Sequence, residues 1–491
     1  MKNRLCYTIA LGISLSVNAQ NETDALRYSL TQLNGTARFM AMGGAFGALG
    51  GDMSVAATNP AGIGVYRKNE LSFSPQLSFW NVKTDGKIDL ESDRFNFNIG
   101  NAGIVFSSEL KNPNWKNINF GISYNRLNSY NQDVTIKNEL PDSTGLIQFF
   151  NDQADGTNVA DLNTNFGFGS YLAYNTFLLD SLSGFSNQYV NRADTGVFYT
   201  GNTIDQTFIS ERNGRLGETN FSIGSNYGDQ LYLGASVGLQ SAYYLQNSTT
   251  KERMLKTEIT DLDEYTFSEN LETNGTGVNL KLGAIYRYKF LRIGAAYHTP
   301  TSFSMTDNYD TKIESVFDDK ARYDLESSRG VFSYRVVTPS KTIASLAFVV
   351  SDRAIISTEY ERSNYAGAKL KRDRNIEDSY DFSQENENIS NLFIASNTFK
   401  AGAEVKFNPI SLRVGFNYST TPYQSNFVKN ESIRMIYSGG IGYREERFSI
   451  DLGYNLIAWK EDFYPYDPQL APLTTLNNRM GNFCLSFAYR Y

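Results

Sequence analysis

The sequence predicts an all-β protein: a transmembrane antiparallel β-barrel of fourteen strands whose lumen is plugged by an N-terminal segment. Three observations carry this. First, the 491 residues include 33 Phe, 32 Tyr and 3 Trp with 39 Gly, against only 11 Pro. That is more aromatic surface than a soluble core requires, and it is the material of the aromatic girdles of a membrane barrel. Second, apolar residues alternate with small or polar ones, as in strands with one face in lipid and the other in a polar lumen. Third, the links between these segments alternate between short and long. Beyond residue 19 there is no run of 18 apolar residues, which excludes a bundle of membrane-spanning helices.

Residues 1–19 carry Lys2 and Arg4, an apolar run over 7–17 and Val17-Asn18-Ala19. This is the pattern of a secretory signal peptide cleaved after Ala19. The run is too short to anchor the chain, no stop-transfer pattern follows, and Cys6 lies far from the cleavage point. Loss of the two cations takes the formal charge from −7 to −9 and leaves Cys484 as the only cysteine. No intrachain disulfide is then available, and an acidic exported chain is a poor partner for nucleic acid.

The alternating segments fall at 69–80, 93–107, 117–137, 219–227, 230–245, 275–289, 290–305, 338–351, 353–363, 397–407, 409–420, 432–444, 446–458 and 480–491. The last shows the pattern: Phe483, Leu485, Phe487, Tyr489 and Tyr491 alternate with Cys484, Ser486, Ala488 and Arg490. The short links are 108–116, Gly228-Asp229, Lys289-Phe290, Asp352, Asn408-Pro409 and Glu445; the long ones are 81–92, 138–218, 246–274, 306–337, 364–396, 421–431 and 459–479. Short turns belong to the periplasmic side of an outer-membrane barrel and long loops to the outside. An even strand count then places both termini in the periplasm. The chain is expected to be a monomer surrounded by outer-membrane lipid, with the strand ending in Tyr491 presented to the outer-membrane assembly machinery. Eight strands make a barrel that wall side chains fill; fourteen leave a lumen to be plugged, and residues 20–68 precede the first strand.

That segment has glycines at 35, 43, 44, 47, 50, 51, 62 and 64, a density that permits tight turns against a wall. Gly43-Gly44-Ala45-Phe46-Gly47 is no nucleotide-binding loop, because no Gly-Lys-Ser/Thr follows and no strand precedes it. Asn59-Pro60-Ala61-Gly62 predicts a tight turn just before the first strand. Ala37-Arg38-Phe39-Met40-Ala41-Met42-Gly43-Gly44-Ala45-Phe46, the pair Gly51-Asp52 and Asn59-Pro60-Ala61-Gly62 resemble the FadL/TodX type of outer-membrane transporter. Arg292-Ile293-Gly294-Ala295-Ala296-Tyr297, Thr338-Pro339-Ser340-Lys341 and Ser351-Asp352-Arg353 are similar to it more loosely. The resemblance implies transport of long-chain fatty acids and other hydrophobic compounds through a fourteen-stranded barrel. It also implies an N-terminal hatch, in which Gly43, Gly44, Gly51, Asp52, Asn59, Pro60, Ala61 and Gly62 would act, and a kinked third strand that opens the wall sideways.

No catalytic constellation is present, and neither metal nor cofactor is expected. His298 is the single histidine, so HExxH sites and relays of two histidines are excluded. Asp307, Asp310, Asp318 and Asp319 lack the spacing of a calcium loop. Inward cations Lys281, Arg287, Arg292, Lys406, Arg413 and Arg490 lie near the periplasmic ends. They either hold a ligand carboxylate or pair with the hatch, for example Asp24 or Asp52, and with Glu404 on the wall. Ile285, Ile343, Ala347, Val349 and Ile355 point into a lumen that would be wet in a simple porin; they are either pocket wall or packing for the hatch. In 138–218, Leu146, Ile147, Phe149 and Phe150, then Tyr171, Leu172, Tyr174, Phe177, Leu178 and Leu179, recur at helical spacing. They form either two short helices that pack together or an apolar groove that collects ligand. The third strand alternates through Ile118, Phe120, Ile122 and Tyr124 and then breaks. Asn125, Arg126, Leu127, Asn128 and Ser129 leave no apolar face, which marks either a bulge beside a gap in the wall or an early strand end.

The reading is passive uptake of hydrophobic small molecules, bound in an apolar lumen pocket and released sideways by hatch rearrangement. A chain of a dozen methylenes would gain up to about 10 kcal/mol on burial, so release requires the site to be disrupted. The alternatives are a haem-uptake barrel, disfavoured by the single histidine, and an adhesive or structural barrel with a polar lumen and a fixed hatch.

Overall fold

The computed structural model describes residues 22–85, 88–141, 145–182, 184–193, 203–255, 261–351, 353–373, 380–425, 432–468 and 470–491. The expected signal peptide and the turn residue Asp352 lie outside the described residues.

Fourteen strands close into one antiparallel ring. They are β1 (Glu70–Asp85), β2 (Leu90–Glu109), β3 (Trp115–Ser129, continued by Gln132–Pro141), β4 (Thr203–Tyr227), β5 (Leu231–Leu255), β6 (Leu262–Tyr288), β7 (Leu291–His298, continued by Ser302–Phe317), β8 (Gly330–Val337, then Lys341–Val350), β9 (Ala354–Asn364, then Lys369–Arg372), β10 (Ala395–Phe407), β11 (Ile410–Ser419), β12 (Arg434–Arg444), β13 (Phe448–Phe463) and β14 (Thr474–Arg490). Each pairs with its neighbours in sequence, and β14 closes on β1 from Glu70↔Arg490 to Asp85↔Thr475. Outward residues such as Phe483, Leu485, Phe487 and Tyr489 are exposed, whereas Cys484 and Ser486 face in and are buried. Neighbouring outward rings touch, as Tyr454 and Phe483 do at 4.5 Å. Short turns gather at one end with both ends of the ring, and long connections gather at the other.

Strands β4 to β7 run well beyond their expected bounds. Residues 203–218 belong to β4, and the expected loops 246–274 and 306–337 are mostly strand. The cause is local. Glu269, Asn270, Glu272 and Asn274 of β6 continue the ladder with polar residues on both faces. Away from lipid the alternation in hydrophobicity is lost although the backbone pairing persists. Before β4 the chain forms α3 (Leu146–Ala154), α4 (Leu162–Phe166), α5 (Ser170–Asn175) and a hairpin of Leu179–Ser181 with Tyr189–Asn191. Leu146, Ile147, Phe150, Leu172, Leu178 and Leu179 are buried together with Tyr265 and Phe267 of β6 and Ile313 and Phe317 of β7. The helices thus pack on one another and on the strand tops. Phe149, Tyr171 and Tyr174 sit at the edge of this cluster, and Phe177 is exposed.

Candidate functional site

Residues 22–66 lie within the ring. They form α1 (Glu22–Arg27), α2 (Ala37–Ala41) and two 3₁₀ turns, Met53–Ala57 and Pro60–Val65. Side-chain caps start these short elements. Thr36 accepts from the Phe39 N–H at 3.2 Å, Asp52 from the Ser54 N–H at 3.0 Å, and Asn59 from the Ala61 N–H at 3.1 Å, with Pro60 at the first helical position. The Thr36 hydroxyl also donates to Asp52 at 2.8 Å, which joins two turns of the segment. Gly43 and Gly51 adopt φ of +63° and +66°, the left-handed region that glycine occupies without strain.

At its inward glycines the wall receives this segment with bare backbone. A Cβ on Gly234 would lie 2.4 Å from the Pro60 carbonyl carbon, and one on Gly283 would lie 1.9 Å from Asn59 Oδ1. Gly234 and Gly283 are paired across β5 and β6, and Gly234 pairs in turn with Gly224 of β4. Sequence reasoning missed this glycine row; the available signal is glycine recurring on the inward phase of adjacent strands. Polar contacts come from around the ring. Ala37 N–H donates to Ser486 at 2.7 Å, Gly47 N–H to Glu359 at 2.8 Å and Arg292 to the Leu49 carbonyl at 2.7 Å. Asn119 donates to the Ile63 carbonyl at 2.7 Å and Asn455 to the Leu33 carbonyl at 3.2 Å. Buried His298 places Nε2 2.6 Å from the Thr58 carbonyl oxygen.

Part of the expected charge pairing is present, since the inward cations Arg413 and Lys406 meet Glu404 on the wall. Asp24 pairs with Arg27, and Asp52 bonds within the segment. The ion pair that docks the segment joins its own Arg38 to Glu404 of β10 at 2.8 Å. Glu404 also receives Arg413 at 2.6 Å, and Arg413 reaches Asp451 at 2.7 Å. Lys281 pairs with Glu218, and Arg490 with Glu70. Arg287 is exposed near the β6–β7 turn.

The inward apolar residues meet the same segment. Ala347 and Ile355, with Val349 beside them, join Phe46, Leu49, Met53 and Val55 in one cluster, and Ile285 packs with Ala61 and Tyr232. Ile343 is buried. The lumen towards the long-loop end carries further apolar surface. Trp80 and Trp459 meet at 5.4 Å, as do Phe208 and Phe463, with the Arg434 guanidinium 5.1 Å from the Trp459 ring. Alongside, α1 inserts Ala25 and Leu26, and Tyr28 follows, among Tyr130, Tyr244, Phe303 and Tyr334. Burial pushes the Tyr28 hydroxyl well above its ordinary pKa.

The third strand changes partner and phase at the residues whose alternation breaks. Its ladder with β2 runs from Glu109↔Asn117 to Asn101↔Asn125. Asn101 there donates to Asn125 Oδ1 at 2.7 Å. Its pairing with β4 continues, with a register shift between Arg126 and Asn128. Arg126 donates to the Gly214 carbonyl at 3.4 Å. Behind these residues lies the chain leaving α1: Gln32 N–H donates to the Leu127 carbonyl at 2.7 Å, Asn128 donates to the Leu30 carbonyl at 3.1 Å, and the Tyr130 hydroxyl to the Arg27 carbonyl at 3.3 Å. Ser129 Oγ accepts from Asn131 at 3.0 Å.

The fold matches that of solved transporters. Over 94% of this chain and 99% of the other, the chain is similar to a Pseudomonas aeruginosa FadL homologue, with a TM-score of 0.57 at 13% identity. It is similar over the same shares to the Pseudomonas putida toluene transporter TodX, with a TM-score of 0.52 at 13% identity. No family model and no curated relative matches the sequence. At this identity the likeness is one of fold, and it is the FadL/TodX fold that the sequence resemblance implied.

Proposed function

We propose that this chain carries hydrophobic small molecules, of the long-chain fatty acid or hydrocarbon class, passively across the bacterial outer membrane. Its short-turn end and both termini face the periplasm, and it works as a monomer. Residues 20–68 act as a hatch. A ligand held against the apolar lumen is released when the hatch shifts, and it leaves sideways past Asn125, Arg126, Leu127, Asn128 and Ser129. The structural neighbours described as a FadL homologue and a toluene transporter are consistent with this class of cargo.

The observation that carries the reading is the end of the β2–β3 ladder at Asn101↔Asn125, with residues 30–32 bonded directly behind the strand there. A ladder interrupted at lipid depth leaves backbone groups without their usual partners, a cost that membrane barrels avoid by complete pairing. A route from lumen to bilayer accounts for it. A greasy chain passing there enters the membrane without crossing the aqueous periplasm, and it requires no energy source. Ile285, Ile343, Ala347, Val349 and Ile355 become accessible to ligand only if the hatch moves, and the same holds for Arg292. Arg413, tied to Glu404 and Asp451, belongs with the docking of the hatch.

Deleting Leu127 removes the extra residue from the β3–β4 ladder, which restores the phase of β3 and should let it pair on with β2 past Asn125. The barrel should still assemble, shown by heat-modifiable migration, and long-chain fatty acid uptake should fall at least tenfold. Full uptake by a correctly assembled deletion variant would overturn lateral exit.

A further inference from the structure

Beyond Asn101, β2 pairs with β1 alone, from Pro75↔Ile99 to Thr84↔Leu90. The continuation of β3 pairs with β4 alone, from Gln132↔Arg212 to Pro141↔Thr203. No ladder joins the two edges among the described residues, yet the β3 continuation lies against both β1 and β2. The side-chain phases show how. Val134 and Ile136 are buried in the lumen cluster with Trp80 and Phe208, so Asp133 and Thr135, between and beside them, point away from the lumen. On β2, Phe95 and Phe97 are 57% and 64% exposed on the outside, so Ser92, Arg94, Asn96 and Asn98 face inward. Arg94 nevertheless reaches Asp133, with both carboxylate oxygens at 3.1 Å, and also donates to Asn213. An inward-facing arginine on an outward-facing aspartate requires the β1–β2 hairpin to overlap the outer face of the β3 continuation. The gap is therefore a covered slit, polar within and greasy on its outer lip.

We propose that this slit selects amphiphiles over bare hydrocarbons. An anionic head group exchanges onto Arg94 in place of Asp133 while its chain slides across Phe95 and Phe97 into the bilayer. The inference rests on lateral exit and names the substrate class that such an exit serves. Arginine offers a carboxylate two parallel hydrogen bonds, so the incoming head replaces what Asp133 gives up. A hydrocarbon would displace the same polar contacts and return none, an unfavourable exchange. The Arg94–Asp133 pair is about a third exposed on each side chain, at 32% and 26%.

The test compares palmitate with hexadecane in proteoliposomes holding the full mature chain. Wild type should take up palmitate at least ten times faster. Arg94→Gln should lose most of that advantage, and Arg94→Lys, which keeps the charge but not the paired hydrogen bonds, should keep part of it. Equal wild-type rates, or an advantage that survives Arg94→Gln, would overturn the inference. The Leu127 deletion separates the two claims. If it stops uptake while Arg94→Gln leaves the preference intact, only head-group selection falls; if it leaves both cargoes entering at full rate, lateral exit falls first.

Discussion

Gly234 shows how closely the wall and the segment within it are fitted. Its missing Cβ leaves room for the Pro60 carbonyl, and the atom in the way is backbone, which has no rotamer to change. Gly234→Val should dislodge the turn at residues 59–62 while the strand, for which valine is well suited, still forms. Planar-bilayer conductance to small ions should rise several-fold. Gly439→Ala is the control, because the nearest atom to a Cβ there is 3.8 Å away, and conductance should match wild type. Glu404 is the other critical position, since it serves both Arg38 and Arg413. Glu404→Gln leaves buried Arg38 without its counter-charge and Arg413 with Asp451 alone, a loss of roughly 3–5 kcal/mol for a broken buried pair. The expected outcome is a lower temperature for the heat-modifiable transition on gels. Gly234 does not announce itself in the sequence, and of Glu404 the sequence shows only the wall role that Arg413 fills. An inward glycine reads like any small lumen residue, and Glu404 reads as a wall acid until Arg38 is placed beside it.

At the scale of elements, legibility follows the solvent. Where a strand separates lipid from lumen, its two faces must differ, and β10 to β12 fall close to their expected positions, while β13 and β14 run on past theirs at the long-loop end. Where β4 to β7 rise beyond lipid, their outer face turns largely polar and stretches such as 269–274 carry polar residues on both faces, so their upper halves read as loops. The third strand was legible for the converse reason. Its alternation fails at Asn125 because a register shift between Arg126 and Asn128 moves the inward set from Asn119, Ser123 and Asn125 to Gln132, Val134 and Ile136. The overlap of β2 on β3 was not legible, because Arg94 occupies an ordinary place in an ordinary alternation. The N-terminal segment tests the plug directly. Removing residues 22–58 takes away its ties to β9, β10, β13 and β14 but none of the wall ladder. The shortened chain should assemble, and its conductance to small polar solutes should exceed that of the full chain. Equal conductance would show that the seal lies elsewhere.

For the whole molecule, closure is the governing constraint. A sheet in lipid tolerates no free edge, and β1 finds its second partner only in β14, about 400 residues later in the chain. Contacts so distant in sequence form slowly. Meanwhile residues 22–66 must come to rest touching strands drawn from the start, middle and end of the ring. The segment straddles the seam itself, since the Ala37 N–H is bonded to Ser486 of β14 and the Asn34 side chain accepts from Gln76 of β1. The ladder closes the ring without it, and the segment acts as a clasp laid across the join, so a change that loosens the segment should also weaken the grip of the last strand on the first.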